Sequence, residues 1–456
     1  MKVLVTGAKG FVGRNLVVVL GKQTGVEIIG YDLDDSPSLL DEGLAKADVI
    51  FHLAGVNRPE KPEDYETGNA GFTQKLCEQL LSLGRKPTII LSSSIQAALD
   101  NPYGISKRKA EDILVQFSKE TGAQVIIFRM KNVFGKWCRP NYNSGVATFC
   151  HNIARNLPIT VSDRANEVNL VYVDDVCAAM MEAAGILQTP CNHFVPAKDS
   201  VYADIFPSFN LTLGEIVDAI YKFKDSRSTL LVPEFDDPFI YRLYATYLSY
   251  LEEANFAYGL DIKSDERGCL AEFLKSSSFG QIFVSRTKPG ITRGNHYHHS
   301  KTEKFLVVQG EAVIRFRKIG EKAIGDGPEA IGEKNKEKAM GDGQWAIGEK
   351  EQEKAIGDGP GAIGEKDKEK AIGDGPEAIG EKDKEKAIGD GRWAIGKEEV
   401  IEYRVRGEEF RVVDIPPGYT HSIENVGNGE LVTLFWANQI FDPEEPDTFF
   451  EHVIKR

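Results

Sequence analysis

The stretch Lys2-Val3-Leu4-Val5-Thr6-Gly7-Ala8-Lys9-Gly10-Phe11-Val12-Gly13-Arg14 decides how the first half of the chain is read. Its apolar start predicts a strand over Lys2–Thr6, and the residues after the third glycine predict a helix. Glycines between them let the backbone turn sharply and approach a pyrophosphate, whose charge then sits at the helix N-terminus. A glycine triplet alone is weak. Between a strand and a helix it reads as a dinucleotide site, with Gly7, Lys9, Gly10, Phe11, Val12, Gly13 and Arg14 as candidate contacts.

Outward from this turn, further strands are expected at Val26–Tyr31, Val49–Leu53, Thr88–Ser92 and Gln124–Arg129, with a helix after each of the first four strands. Alternation of this kind over residues 1–250 predicts an α/β, Rossmann-type, doubly wound parallel sheet. Asp32 ends the second strand. A carboxylate there accepts from an adenosine ribose and repels a 2′-phosphate, which favours NAD(H). Against that, Lys9 and Arg14 could meet such a phosphate, and Asp32 also reads as a loop carboxylate in the run Asp32-Leu33-Asp34-Asp35. His52-Leu53-Ala54-Gly55 closes the third strand beneath the expected nicotinamide ribose, so Leu53, Ala54 and Gly55 join the candidate contacts. His52 by itself reads as a satisfied core histidine.

Tyr103 and Lys107 lie four apart, on one face of a helix. A cation beside a phenol lowers its pKa and suits it to proton exchange with a carbonyl or hydroxyl. Ser92-Ser93-Ser94 closes a strand at the edge where such sheets bind ligands, and Ser94 is the candidate to hold the reacting oxygen.

From residue 259 to 456 the rhythm changes to short strands and turns: Gln281–Arg286, Lys304–Val308, Ala312–Arg317, Val400–Arg404, Phe410–Val413 and Leu431–Trp436. That predicts an all-β sandwich or barrel, joined to the first domain by a linker at 251–258. Gly290, His296, His298, Glu303 and Gly310 match the first cupin motif in type and spacing, and Pro416–Asn425 matches most of the second. Alternate residues of a strand point the same way, so His296 and His298 can face the barrel interior, joined by Glu303 and His421. Three imidazoles and a carboxylate suit Zn, Fe, Mn or Ni; one divalent ion is expected, zinc foremost. The other reading is a metal-free cupin whose histidines only hydrogen-bond.

Residues 320–396 interrupt this domain. A unit starting Glu-Lys-Ala-Ile/Met-Gly-Asp-Gly recurs with a period of 16 from Glu321 to Glu385. Ordering a residue costs roughly 1–2 kcal/mol, which about two isoleucines per unit cannot offset. A loosely ordered extension is expected over a stacked solenoid. Its flanks, Ile314–Arg317 and Ile401–Arg404, read as two arms of one hairpin, whose tip can grow at a cost that rises only logarithmically.

The 456 residues carry a net charge of −14, which argues against nucleic acid or an anionic membrane surface as partner. No 18-residue apolar run is present, and Met1 leads into the glycine turn without a signal-like segment. The six cysteines are scattered with no CxxC, as in reduced thiols of a cytoplasmic protein.

Taken together, Thr6–Gly13, His52–Ala54, Tyr103–Lys107, Arg129–Gly135 and Tyr172–Val176 resemble the extended short-chain dehydrogenase/reductases that act on sugar nucleotides. Members that dehydrate sugars carry an acidic pair directly after the catalytic hydroxyl, where this chain has Ile95 and Gln96, so a 4,6-dehydratase is disfavoured. With the cupin motifs, the segments Ser92–Gln96, Phe134–Asn143 and Gly294–His299 resemble the CapF-type capsular-polysaccharide enzymes over the whole chain except the repeats. That resemblance implies a UDP-linked 2-acetamido-2,6-dideoxy-4-keto hexose as substrate. It implies C3 epimerisation by the cupin and reduction of C4 by the first domain with NADP(H), and Asp32 departs from that cofactor. It also makes Asn132 and Lys136 candidates for the nucleotide phosphates, beside Ser94 on the ketone. A homodimer is expected, since cupins often pair through strands. Two readings compete: a redox-neutral 4-epimerase with a structural cupin, and a non-catalytic sugar-binding module.

Overall fold

Val3 and Val5 pack into one hydrophobic core and Leu4 into another, on opposite faces of one sheet. The same split separates Phe51 from Ile50 and Phe128 from Ile127. Near-continuous aliphatic strands are what a sheet covered on both faces requires. The computed structural model describes residues 1–187, 189, 192–198, 200–319, 391–395 and 398–454. The repeats, apart from 391–395, lie outside the described residues, as does the expectation about their order.

The chain divides into two compact units: 1–229 with 233–258, and 230–232 with 259–456. In the first, a seven-stranded sheet runs in the order Glu27–Tyr31, Lys2–Thr6, Val49–His52, Thr88–Ser94, Val125–Met130, Tyr202–Ile205 and Phe194–Pro196. All neighbours are parallel except the last pair. Strand order reverses between Lys2–Thr6 and Val49–His52, and ligands of open α/β sheets bind outside the carboxyl ends of strands at such a switch point. The glycine turn lies at that point. A smaller three-stranded sheet (Phe209–Thr212, Glu167–Tyr172, Asn132–Phe134) packs with helices Gly145–Ala154, Leu213–Thr229 and Pro238–Leu248 around Phe134, Phe149, Phe223 and Phe239.

The second unit has two six-stranded antiparallel sheets. Phe283, Phe305 and Phe435 of one meet Ile314, Phe316 and Ile423 of the other in a shared core, the layering of a jelly roll. The two expected hairpin arms do pair, with Phe316 opposite Ile401 and Ile314 opposite Tyr403. Phe410 does not belong to a strand: it follows the turn Gly407–Glu409 with a φ of +48°, and the strand runs Val412–Ile415. Among the described residues, no helix is long and apolar enough to cross a membrane.

Candidate active site and metal centre

Gly7 has a φ of +71°, and a Cβ there would stand 2.8 Å from the Ala54 nitrogen. A Cβ on Gly13 would meet the Gly7 carbonyl oxygen at 2.0 Å. Both positions therefore need glycine for the turn to close against 53–55 and for the helix to start beside it. Gly10 is the N-cap of helix Phe11–Leu20. Phe11 and Val12 open that helix and, with Ala8 and Leu53, pack against the core. The Asp32 carboxylate accepts the backbone N–H of Lys9 at 2.8 Å and that of Leu33 at 2.8 Å. The Lys9 ammonium donates to Asp35. Exposed Arg14 lies 5.5 Å from the Trp137 ring, which Lys136 flanks at the same distance. His52 is a core histidine: it bridges Thr6 and Thr73, both at 2.9 Å, and burial pulls its pKa down to about 3.

Helix Pro102–Thr121 carries Tyr103 and Lys107, and the side chain of its N-cap, Asn101, accepts from Gly104 N–H at 2.8 Å. The strand before it extends two residues past the expected end, to Ser94. Ser94 hydrogen-bonds Tyr103, and its Oγ also caps the turn Ile95–Ala98 through Gln96 N–H. The phenol is not pulled down as its spacing to Lys107 predicts. Burial pushes its pKa up, the Ser94 bond draws it partly back, and Tyr65 raises it again. The reason is geometric: the Lys107 ammonium donates to the Ser92 carbonyl at 2.9 Å, and its own pKa falls to about 8 through burial, partly offset by Glu111. Asn132 donates to the Asn169 carbonyl at 3.1 Å, and Lys136 pairs with Asp174.

Three residues absent from the sequence reading shape this site. Glu111, fully buried, accepts from Ser93 at 2.5 Å, from Arg129 through two nitrogens and from Tyr202 at 3.1 Å. It ties helix Pro102–Thr121 to the end of the serine strand. Asn69, on the π-helical turn Glu66–Gly71, holds Val56 through both backbone groups and donates to Ser106. The Tyr65 ring lies 5.6 Å from the Tyr103 ring. A π turn, common at functional sites, has no reliable sequence signal, and a carboxylate eight residues past a tyrosine reads as an ordinary helix face.

In the second unit His296, His298, Glu303 and His421 come together, all buried, with candidate ligand atoms within 4.8 Å of one another. His296 lies on strand Thr292–Tyr297, and His298 just past its end still turns inward. Exposed His299 meets Phe449 edge to face instead, with ring centroids 4.7 Å apart. His298 Nδ1 bonds the Asp447 carbonyl at 2.5 Å, so its Nε2 faces the cluster. The Nε2 atoms of His298 and His421 are buried without a hydrogen-bond partner, 3.5 and 3.6 Å from the Glu303 oxygens. A tetrahedral ion with bonds of about 2.0–2.1 Å separates its ligands by about 3.3 Å, so the four residues fit a divalent ion. Burial holds His296 and His421 below the ordinary imidazole value. Burial also pushes Glu303 up, but Lys301 and the two imidazoles outweigh it and keep the carboxyl well below its usual range. Neutral imidazoles and an anionic carboxylate are the protonation states a metal needs.

Residues 3–189 match the NAD dependent epimerase/dehydratase family, and residues 263–330 with 391–449 match the polysaccharide biosynthesis C-terminal domain. The second match passes over most of the repeat segment. The UDP-2-acetamido-2,6-beta-L-arabino-hexul-4-ose reductase of Pseudomonas aeruginosa is 38% identical over 450 residues, 98% of each chain. The crystal structure of the capsular polysaccharide assembling protein CapF from Staphylococcus aureus superposes with a TM-score of 0.75 at 39% identity, covering 99% of this chain and 100% of that one. A UDP-glucuronate 4-epimerase of Arabidopsis thaliana is 26% identical and reaches only 41% of this chain. With a relative matched nearly end to end and both units accounted for, the chain belongs to the CapF family of nucleotide-sugar reductases.

Proposed function

We propose that this protein converts a UDP-linked 2-acetamido-2,6-dideoxy-4-keto hexose in two steps. The second unit epimerises C3, and the first reduces the C4 ketone, giving UDP-N-acetyl-6-deoxy-L-talosamine on the route to UDP-N-acetyl-L-fucosamine. The observation that carries this reading is that one chain holds both a Ser94–Tyr103–Lys107 group at the carboxyl edge of the parallel sheet and a buried His–His–Glu–His cluster in which two imidazole nitrogens have no hydrogen-bond partner.

Tyr103 hands its proton to the C4 oxygen while the reduced dinucleotide supplies hydride to C4, so the ketone becomes an alcohol. Ser94 holds that oxygen in line with the phenol, and Lys107 places a positive charge where phenolate character develops. In the other unit His296, His298, Glu303 and His421 would hold a divalent ion, zinc foremost, which when bound supplies Lewis acidity toward the carbonyl beside C3. NADPH is the reductant in this reading. Asp32 has both carboxylate oxygens committed to backbone N–H groups, and NADH is the alternative to be run beside it. Pairing into a homodimer is part of the same reading, with sedimentation as its check.

The test is incubation with the 4-keto sugar in D2O, with and without NADPH or NADH. Deuterium should enter C3 without reductant, and Tyr103→Phe should stop reductant consumption while sparing exchange. Consumption without exchange would make the second unit structural. Inactivity with both cofactors would remove the substrate assignment.

A further inference from the structure

Arg58 and Arg139 come from loops 81 residues apart, yet their guanidinium carbons stand 5.8 and 5.0 Å from the ring centroid of Tyr142. Both are exposed. Among the described residues neither head group has an ion pair or hydrogen bond, whereas Arg108, Arg129, Arg155 and Arg242 of the same unit all pair with carboxylates. On a chain of net charge −14, two guanidiniums gathered on one ring without an anion form a local positive site. The ring keeps them in place through cation–π attraction, and their planar forks suit two-point binding of phosphate oxygens.

The loops are tied to the catalytic group. Tyr142 Oη donates to Asn57 Oδ1 at 3.0 Å, and Tyr65 Oη donates to the Asn57 carbonyl at 3.3 Å. The Tyr65 ring in turn lies on Tyr103. Val56, next to Asn57, is pinned through its N–H and C=O to Asn69, which also donates to Ser106 on the catalytic helix. The arginine pair is thus linked to the proton donor through Tyr142, Asn57 and Tyr65. In a nucleotide sugar the diphosphate is carried on C1, across the pyranose ring from the C4 that Tyr103 serves. Lys136, the other cation expected for this role, is neutralised by Asp174.

We infer that Arg58 and Arg139, seated on Tyr142, bind the diphosphate of the sugar nucleotide, an inference that rests on the function proposed above. Calorimetric titration of the full-length protein with UDP, uridine and NADPH tests it. Wild type should bind UDP more tightly than uridine. The R58Q/R139Q variant should weaken UDP by about 10- to 100-fold while uridine and NADPH affinities hold, and each single variant should weaken UDP in part. If the double variant does not fold, the two single variants decide the matter. Unchanged UDP affinity in the variants, or an equal loss for NADPH, overturns this assignment and leaves the reductase reading standing. Failure of wild type to bind UDP or uridine at all would instead remove the UDP-sugar reading itself.

Discussion

Lys107 keeps its ammonium where burial has drawn the pKa down to about 8, with Glu111 one helical turn along pulling it partly back. The group is charged below that value and neutral above it. In the proposed reaction Tyr103 must give up a proton, burial holds its phenol above the ordinary value, and the Lys107 charge one helical turn along is the group expected to assist as phenolate character develops. For ketone reduction, kcat/KM is therefore expected to be flat through neutrality. It should fall about tenfold per pH unit above the Lys107 pKa. Lys107→Met should lower the plateau and lack that step. A profile rising through pH 8 would mean that neutral lysine is the working form. Residue identity and spacing along the chain made Tyr103, Lys107 and Ser94 legible. Glu111 and Asn69 were not, because their roles come from contacts with Ser93, Arg129, Tyr202 and Val56 that only folding creates.

Short segments hold these groups in register. Strand Thr88–Ser94 runs two residues beyond its expected end and so brings Ser93 to Glu111 and Ser94 to Tyr103. In the other unit the segment near the C-terminus clasps the histidine cluster. Phe449 and Phe450 pair with Tyr297 and His296. Asp447 receives the N–H groups of His299, Ser300 and Lys301 on its carboxylate and His298 Nδ1 on its carbonyl. Partners that orient a ligating imidazole typically change metal affinity by about 10–100-fold when lost. Asp447→Ala keeps the carbonyl that holds His298 but frees the loop at 299–301 that positions it, so a smaller drop in metal affinity, up to about tenfold, is expected, read by competition with a chromogenic chelator. Metal affinity equal to wild type would make Asp447 a plain loop anchor. Nothing in the acidic, proline-containing run from Asp442 to Asp447 sets it apart from a solvated turn, since the loop it caps lies about 150 residues earlier.

The two compact units have separate cores and separate sites. A ligand that binds only folded protein stabilises the unit holding it, by about 2.7 kcal/mol at a hundredfold excess over Kd. Dinucleotide is expected to raise the thermal transition of the α/β unit. If His296, His298, Glu303 and His421 hold a divalent ion as proposed, chelation is expected to lower the transition of the β unit, with calorimetric scans following both. Movement of a single common transition by both treatments would instead show that the units unfold together.

The order of an α/β unit before an all-β one, the glycine turn, the Tyr103–Lys107 pair and the gathering of His296, His298, Glu303 and His421 were all legible along the chain. Local spacing dictates them: a strand–glycine–helix turn, a four-residue helical step and the motif around His296, His298 and Glu303. What folding alone decided is which like residues keep a free charge. Lys136 is matched by Asp174, Lys9 by Asp35 and Arg129 by Glu111, while Arg58 and Arg139, among the described residues, meet the Tyr142 ring and no carboxylate. Pairing and burial set the electrostatic worth of a side chain, and both depend on neighbours far away in sequence.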